Sequence, residues 1–391
     1  MSGPGLRALP VPPGAAALSI LADLRAAMDG SGPAVVPYAL DSRPPPAPSD
    51  PEVLPDAVAL AIRTSGSTGE PKLALLTRDA LRASADATHQ RLGGQGQWLL
   101  AVPAHHIAGI QVLVRSLLSG TTPVAMDLEG GFTAAAFALA TARLAAATTA
   151  YTALVPTQLV RLLASEDGRQ ALTRYAAVLV GGAATPPRVI TEAKNAGIQV
   201  VTTYGMSETA GGCVYDGLPL DISEVKLEDD GRIRLGGSTL ALGYLGEPEL
   251  SATGFVVDAA TGRRWFRTDD VGHLDDQGAL MVDGRIDDLI NTGGLKVAPR
   301  QVEDALTGLA TVAEAVVVGS PDPEWGQLVS AAIVMAEGSS PPTLEELRDS
   351  LRSLLPDHAL PRRLATLPAL PLRGPGKPDR AAVRRHFDRD Q

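Results

Sequence analysis

The sequence predicts an α/β protein: a large N-terminal domain of βαβ layers with a β-rich subdomain, plus a small mobile α+β C-terminal domain. Three observations support this fold class. Short apolar runs alternate with amphipathic helical patterns up to residue 202, which is typical of βαβ units around a largely parallel sheet. From residue 222 short strand patterns are separated by Gly and Asp turns, which indicates the β-rich subdomain. From residue 299 helix and strand patterns mix, so a smaller domain begins near residue 285.

The 391 residues are too many for one ordinary core, and we expect two domains, 1–286 and 287–391. The first core strand is an apolar run that ends at Thr64, after a proline-rich surface stretch over 39–55. Apolar residues at helical spacing predict helices over 78–92, 107–119, 133–147, 156–165 and 186–196. Buried-strand patterns predict strands over 97–102, 177–180 and 198–202. The last part predicts helices over 299–309 and 343–355, and strands over 313–320 and 328–336.

Composition excludes several classes of protein. The formal charge of 34 − 44 = −10 argues against nucleic acid as a partner. Cys213 is the only cysteine, so no intrachain disulfide and no thiolate metal cluster can form. The alanine-rich run over 132–150 is interrupted by Arg143 and predicts a buried helix, not a membrane span. The N-terminus contains prolines and no apolar segment of signal-peptide type, so we expect a cytoplasmic protein.

The segment after the first strand combines hydroxyls, glycines and a lysine, in the order Thr64-Ser65-Gly66-Ser67-Thr68-Gly69-Glu70-Pro71-Lys72. Glycines let the backbone approach a phosphate, while amides and hydroxyls donate to its oxygens. The spacing does not match the Gly-x-x-x-x-Gly-Lys-Ser/Thr P-loop. We therefore predict a phosphate loop of another kind, in a strand-to-helix turn.

This segment resembles the phosphate-binding loop of the adenylate-forming superfamily of acyl-CoA synthetases, adenylation domains and luciferases. Five further segments are similar to motifs of that superfamily and follow in its order, so the resemblance covers roughly residues 58–387. These segments are 181–184, 204–209, 265–270, 284–290 and 374–380. Each could be an ordinary turn or a solvated charge in isolation, but their joint order favours the resemblance.

The resemblance implies a role for each motif. Lys377, Thr64 and Glu208 would be catalytic, with Glu208 also holding Mg²⁺, and Asp287 would be the hinge pivot. The ATP-binding residues would be Ser65, Gly66, Ser67, Thr68, Gly69, Lys72, Gly182, Ala183, Tyr204, Gly205, Met206, Ser207, Asp270 and Arg285. The implied reaction uses ATP, Mg²⁺ and CoA: a carboxylate forms an acyl-adenylate, the small domain rotates, and CoA takes the acyl group.

Two segments bear on the acid. Arg115 lies on the predicted helix over 107–119 among apolar neighbours, where it either meets a carboxylate or extends its head to solvent. Together with the segment over 155–163, this pattern resembles compact o-succinylbenzoate–CoA ligases of menaquinone biosynthesis. That resemblance implies acid-binding roles for His106, Arg115 and Ser207, although His106 also fits a structural histidine.

The sequence departs from the superfamily pattern in three places. After Lys72 it has Leu73-Ala74, where the superfamily commonly has Gly-Val. Asp269 replaces the usual glycine before the ribose aspartate, and only about sixty residues precede the phosphate loop, so an N-terminal subdomain is shortened. Two other functions stay open: an adenylation enzyme that loads a carrier protein, and a nucleotide-binding protein without turnover. An amino-acid site would call for an acidic residue near position 105, and none is present. The oligomeric state is also open, a homodimer being one option.

Overall fold

The computed structural model describes residues 5–45, 54–64, 72–128, 130–372 and 378–388. Within these residues the chain forms four β-sheets with helices packed on them, which confirms the predicted α/β class. In the same part of the chain, no helix is both long and apolar enough to cross a bilayer.

The first sheet has the strand order β1-β2-β3-β4. Its strands are β1 (Leu6–Val11), β2 (Ala34–Ala39), β3 (Val58–Arg63) and β4 (Leu73–Thr77), with helix α1 (Leu21–Asp29) between β1 and β2. Strand β3 matches the first predicted core strand. The strand-to-helix turn predicted after it is wrong, because β4 follows and pairs antiparallel with β3. The apolar run after Lys72 forms a second strand, and the next helix begins only at Arg78, capped by the Thr77 hydroxyl.

The second sheet has the order β11-β10-β9-β8-β7-β5-β6, and the five strands from β9 to β6 are parallel. Its strands are β5 (Gln97–Leu100), β6 (Val124–Ala125), β7 (Ala150–Leu154), β8 (Ala177–Val180), β9 (Val200–Met206), β10 (Gly211–Tyr215) and β11 (Leu218–Pro219). The helices in this region are α2 (Arg78–Arg91), α3 (Ile107–Leu118), α4 (Ala134–Thr141), α5 (Pro156–Leu163), α6 (Glu166–Leu172) and α7 (Pro187–Asn195).

Alternate residues of β5 show how this sheet is covered. Trp98 and Leu100 pack in one buried cluster, while Leu99 packs in a second cluster with Phe137 and Leu154. Because successive side chains of a strand point to opposite faces, the sheet is buried on both faces. This matches the short apolar runs from which the parallel sheet was predicted.

The third sheet is antiparallel, and its main path is β12-β13-β15-β14 with β16 beside β15. Its elements are β12 (Ser223–Leu227), β13 (Arg232–Gly237), α8 (Pro248–Gly254), β14 (Phe255–Val257), β15 (Arg264–Leu274) and β16 (Leu280–Arg285). This is the β-rich subdomain predicted from residue 222.

A short 3-10 turn, Ile286–Asp288, leads from β16 to the fourth sheet. The last elements are β17 (Ile290–Thr292), β18 (Leu295–Val297), α9 (Pro299–Gly308), β19 (Val312–Asp322), β20 (Gly326–Met335), α10 (Leu344–Leu351), β21 (Arg363–Thr366) and α11 (Arg380–Asp388). They enclose a separate core that includes Val302, Val317 and Ile333. The boundary that we predict at 286/287 falls in the turn that links the two sheets.

Two arginines connect the C-terminal part to the loop before α7 and to its first turn. Arg300 on α9 donates from Nη2 to the carbonyl oxygen of Thr185 at 3.3 Å. Arg188 on α7 donates to the carbonyl oxygen of Ala313. Both acceptors are backbone groups, so this contact does not depend on which side chains stand at 185 and 313.

Candidate active site

The candidate site lies where the parallel strands β7, β8 and β9 end. The predicted residues Gly182 and Ala183 directly follow β8, and Tyr204 to Met206 form the last residues of β9. In open α/β sheets, ligands bind outside the carboxyl ends of the strands. The strand order therefore brings these two predicted motifs to one edge of the sheet.

Close backbone packing at the end of β9 requires a glycine at position 205. A Cβ atom on Gly205 would lie 2.1 Å from the carbonyl oxygen of Gly211 on β10, and its φ is +157°. Gly182 has a φ of +78°, which also favours glycine. The chain can thus turn sharply after β9, and Ser207 and Glu208 come next to the first sheet.

Ser207 and Thr64 join the end of β9 to the start of the predicted phosphate loop. The Ser207 hydroxyl donates to the carbonyl oxygen of Arg63 at 3.3 Å. The Thr64 amide donates to the carbonyl oxygen of Lys72 at 2.8 Å, so these two residues are direct neighbours. Ser65, Gly66, Ser67, Thr68 and Gly69 lie outside the described residues, so their roles stay predictions.

Glu208 is a buried carboxylate with 7% of its surface exposed. The Tyr244 hydroxyl donates to its Oε1 at 2.8 Å. Burial raises the pKa of Glu208, while the Tyr244 hydrogen bond and the positive charge of Lys72 act to lower it. A buried carboxylate with one tyrosine on one oxygen suits a hard cation such as Mg²⁺, which takes oxygen ligands.

Asp270 on β15 faces the same region. The Tyr204 hydroxyl donates to its Oδ2 at 2.7 Å. Burial raises the pKa of Asp270, and Arg285, 3.9 Å away from Nη1 to Oδ1, acts to lower it. The residues predicted for adenine, ribose and nucleotide contacts are therefore direct neighbours, because β16 pairs Arg285 with Asp270 on β15.

Asp269, the departure from the superfamily pattern, is neutralised within this cluster. Its carboxylate pairs with Arg285 at 3.0 Å and with Arg232 at 3.3 Å. Arg285 thus makes its shorter ion pair with Asp269, not with Asp270. The additional carboxylate restrains an arginine that is predicted to contact the nucleotide.

Two of the three residues predicted for the acid, His106 and Arg115, lie at the start of α3 and within it, while Ser207 follows β9. His106 is the N-cap residue of α3, and Gln111 donates from Nε2 to the carbonyl oxygen of Ala210 at 2.7 Å. Because Ala210 follows the segment of Glu208, the first turns of α3 pack against the candidate site. Neighbouring His105 has its pKa lowered to about 4 by burial and by the charge of His106.

Arg115 lies one helical turn beyond Gln111 and is only 3% exposed. Its guanidinium stands over the Trp98 ring, 5.0 Å from the centroid, and its Nη2 contacts the Tyr215 hydroxyl at 3.4 Å. Among the described residues no carboxylate pairs with Arg115, and its Nε has no hydrogen-bond partner. The alternative in which Arg115 extends its head to solvent is therefore wrong, while its role in acid binding stays a prediction.

The structure describes the predicted hinge residue, Asp287, but not the predicted catalytic lysine, Lys377. Asp287 lies exposed in the 3-10 turn after β16. Lys377 lies outside the described residues, but the chain on either side of it pairs, Leu372 with Pro378. Arg380, just beyond, is bound to Glu303 on α9 at 2.7 Å. The described residues on either side of Lys377 thus belong to the C-terminal part.

Sequence reasoning missed two residues of this region, Tyr244 and Gln111. Tyr244 lies in a Gly-Tyr-Leu-Gly turn, where an aromatic residue between glycines gave only a turn signal. Gln111 is a lone amide in an apolar helical run, and such a residue can be recognised only from the partner that it meets in the fold.

Two family models together match most of the chain. A model of the AMP-binding enzyme family matches residues 17–265, and a model of the AMP-binding enzyme C-terminal domain matches residues 301–377. A probable 2-succinylbenzoate–CoA ligase of Mycobacterium tuberculosis is 46% identical over 98% of both chains. A 2-succinylbenzoate–CoA ligase of Listeria innocua is 31% identical over 82% of this chain and 68% of its own length.

Among solved structures, the o-succinylbenzoate CoA synthetase of Bacillus subtilis in complex with the acyl-adenylate intermediate OSB-AMP has a similar fold. It superposes with a TM-score of 0.73 and 25% identity, covering 98% of this chain and 89% of that one. The similarity extends over both the large and the small part of the chain.

Proposed function

This chain belongs to the AMP-binding enzyme family, and we propose that it is an ATP-dependent acid–CoA ligase that acts on 2-succinylbenzoate, in menaquinone biosynthesis. The observation that carries the proposal is the convergence of two carboxylates, Glu208 and Asp270, with Arg285 beside Asp270, at the carboxyl ends of the parallel strands. The named relatives agree with the function that the motifs predict.

In the first half-reaction the acid carboxylate attacks the α-phosphorus of ATP, and pyrophosphate leaves. Asp270 would accept from the ribose hydroxyls, and Arg285 would neutralise phosphate charge. Lys377 would stabilise the negative charge that develops between phosphate and carboxylate, which is electrostatic catalysis. Ser207 and Thr64, adjacent to the phosphate loop, would donate to phosphate or acyl oxygens.

Mg²⁺ would supply positive charge to the phosphates, and Glu208 is the residue that would hold it. In the described part of the chain no group of three or more His, Cys, Asp or Glu gathers as a metal site. This fits Mg²⁺ bound through one carboxylate and phosphate oxygens, not an all-protein cage.

In the second half-reaction the thiol of CoA attacks the acyl carbon of the adenylate, and AMP leaves. The small domain would rotate at Asp287 between the two steps and withdraw Lys377, since one lysine-lined site serves both reactions poorly. We place this ATP- and CoA-dependent reaction in the cytoplasm. A homodimer remains one option, which light scattering can test.

The substrate is tested by pyrophosphate release across 2-succinylbenzoate, benzoates, succinate, fatty acids and amino acids. We expect 2-succinylbenzoate to give the highest kcat/KM, with the CoA thioester as product. Highest activity with another acid would overturn the substrate, and an adenylate transferred only to a carrier protein would overturn the ligase. Nucleotide binding without pyrophosphate release for any acid would show a nucleotide-binding protein without turnover.

The two-step scheme is tested at Lys377 and Asp287. Lys377→Ala should lower adenylation by orders of magnitude but spare thioester formation from supplied acyl-adenylate. Asp287→Pro should do the reverse, because proline fixes φ at the pivot. Equal losses in both half-reactions for both variants would exclude alternation of the small domain.

A further inference from the structure

The segment over 241–245 connects Glu208 to the strand that leaves the phosphate loop. The Ala241 amide donates to the carbonyl oxygen of Glu208 at 2.8 Å. Leu242 and Leu245 then donate to the carbonyl oxygens of Leu75 and Leu73 on β4, at 2.8 and 2.9 Å. This segment therefore holds the backbone of Glu208 and pairs with the first sheet at the same time.

Tyr244 is the centre of this segment, and its ring is fixed from several sides. The Ser251 hydroxyl accepts from the Tyr244 amide at 2.8 Å, and the ring packs on Phe255 with 5.6 Å between centroids. The Lys72 ammonium lies over the ring, 5.7 Å from its centroid. The hydroxyl reaches Glu208, so one residue contacts both the end of the predicted phosphate loop and the predicted metal carboxylate.

We propose that Tyr244 is a positioning residue that aims the Glu208 carboxylate at Mg²⁺ and couples it to Lys72; this rests on the proposed function. A carboxylate rotates about its last bond, and a donor on Oε1 fixes its plane and leaves Oε2 for a cation. Partners of a ligating carboxylate set its orientation, and their loss lowers metal affinity about 10- to 100-fold. Packing against Phe255 alone would be served equally well by phenylalanine, whereas the hydroxyl is directed at Glu208.

The test compares ATP affinity by calorimetry with Mg²⁺ and with EDTA, on the full-length protein without acid or CoA. For the wild type we expect tighter binding with Mg²⁺. Tyr244→Phe should reduce that ratio of affinities about tenfold and raise the Mg²⁺ concentration for half-maximal adenylation by a similar factor. ATP affinity in EDTA should not change, whereas a general loss of structure would lower it as well.

The matched control is Tyr175→Phe, which removes another buried hydroxyl, bonded to Thr141 at 2.7 Å in the core of the large domain. It should keep the wild-type ratio. Ser251→Ala releases the backbone of Tyr244 but leaves its hydroxyl, so it should lower the ratio of affinities less than Tyr244→Phe does. It replaces Tyr244→Phe as the test if that variant does not fold.

The outcomes separate the two proposals. A wild-type ratio near one, or an unchanged ratio in Glu208→Gln, would overturn Glu208 as the Mg²⁺ residue and so the metal part of the proposed function. In another outcome the wild type binds ATP more tightly with Mg²⁺, and Glu208→Gln loses that difference. If Tyr244→Phe then keeps the wild-type ratio of affinities, only the role of Tyr244 is overturned.

Discussion

The two most revealing charges of this protein are both buried but have different surroundings. Glu208, at the end of β9, receives a hydrogen bond from Tyr244 and the field of Lys72. Arg115, inside α3, has an aromatic ring and a tyrosine hydroxyl near it but no carboxylate among the described residues. Burial raises the pKa of Glu208 and lowers that of Arg115, so in each case it disfavours the charged form.

This difference indicates which of the two regions a charged ligand would stabilise more. The side of the candidate site that is proposed to bind the nucleotide already holds charges in pairs, as Asp269 with Arg285 shows. A buried guanidinium without a counter-charge is costly, and a bound carboxylate would offset that cost. The aromatic carboxylate of 2-succinylbenzoate is such a group, whereas its succinyl carboxylate must stay free to react.

The largest expected effect is that of Arg115→Ala. Loss of the guanidinium should leave the ring carboxylate without a partner, at a cost of about 2–5 kcal/mol in transition-state binding. This corresponds to a fall of about 30- to 5,000-fold in kcat/KM for 2-succinylbenzoate. ATP affinity should hardly change, and Tm should hold or rise because an unpaired buried charge is removed.

Arg82→Ala, an exposed arginine on α2, is the control and should leave both kcat/KM and Tm near wild type. An unaltered kcat/KM with a lowered Tm in Arg115→Ala would instead show a purely structural arginine stacked on Trp98. Arg115 would then be a structural charge, and Glu208 alone would remain a proposed ligand contact.

A smaller effect is expected from Asp269→Asn on the nucleotide side. The variant releases Arg285 toward Asp270 and the nucleotide, and it removes a negative charge near the phosphates. Both partners of Asp269 are partly exposed, so the gain should be about 0.5–1 kcal/mol, a fall of roughly two- to fivefold in KM for ATP. Asp283→Asn, which breaks an exposed pair with His273, should not change KM. A rise in KM would mean that Asp269 helps to position Arg285.

The last expected effect concerns pH and reports on the surroundings of Arg115. Burial and the charge of Arg115 lower the pKa of His89 to about 4, although Asp86 opposes the shift. An unfolded histidine titrates near 6.5, so protonation between pH 6.5 and 4 favours the unfolded chain. The stability contribution is therefore present above pH 6.5 and lost as the pH falls toward 4.

The check is Tm against pH for the wild type and His89→Gln. Over this range the wild type should lose about 3–4 °C more than the variant, which has no imidazole to titrate. Parallel curves would show that folding does not lower the pKa of His89, so burial and Arg115 would have no net effect on its protonation.

The sequence predicted the elements whose patterns are strong and local. Helices α2, α3, α5 and α7 and strands β3 and β8 lie where apolar spacing placed them, and the family follows from motifs in order. Helix α4 ends at Thr141, well before the predicted 147, because an alanine-rich run has no pattern that marks its end. Strand β7, which continues the same run, and helix α6, a short polar helix after Ser165, were missed.

The candidate site likewise contains residues that the sequence could predict and contacts that it could not. Glu208, Asp270 and Arg285 could be predicted because each stands in a motif of recognisable order. The contacts of Tyr244 and Asp269 could not, since they depend on which strands pair across long separations in the chain. Strand β4 was missed because the turn before it was expected to enter a helix directly.

Arg300 contacts the loop before α7, and Arg188 contacts strand β19. These two contacts have a consequence for how the protein can change over evolutionary time. Both arginines donate to backbone carbonyls, at Thr185 and Ala313. Any residue at those two positions offers the same acceptor, so the sequence there is free to drift without loosening the contact. Tolerance is therefore asymmetric, with wide freedom for the acceptor residues and strong constraint on the two donors.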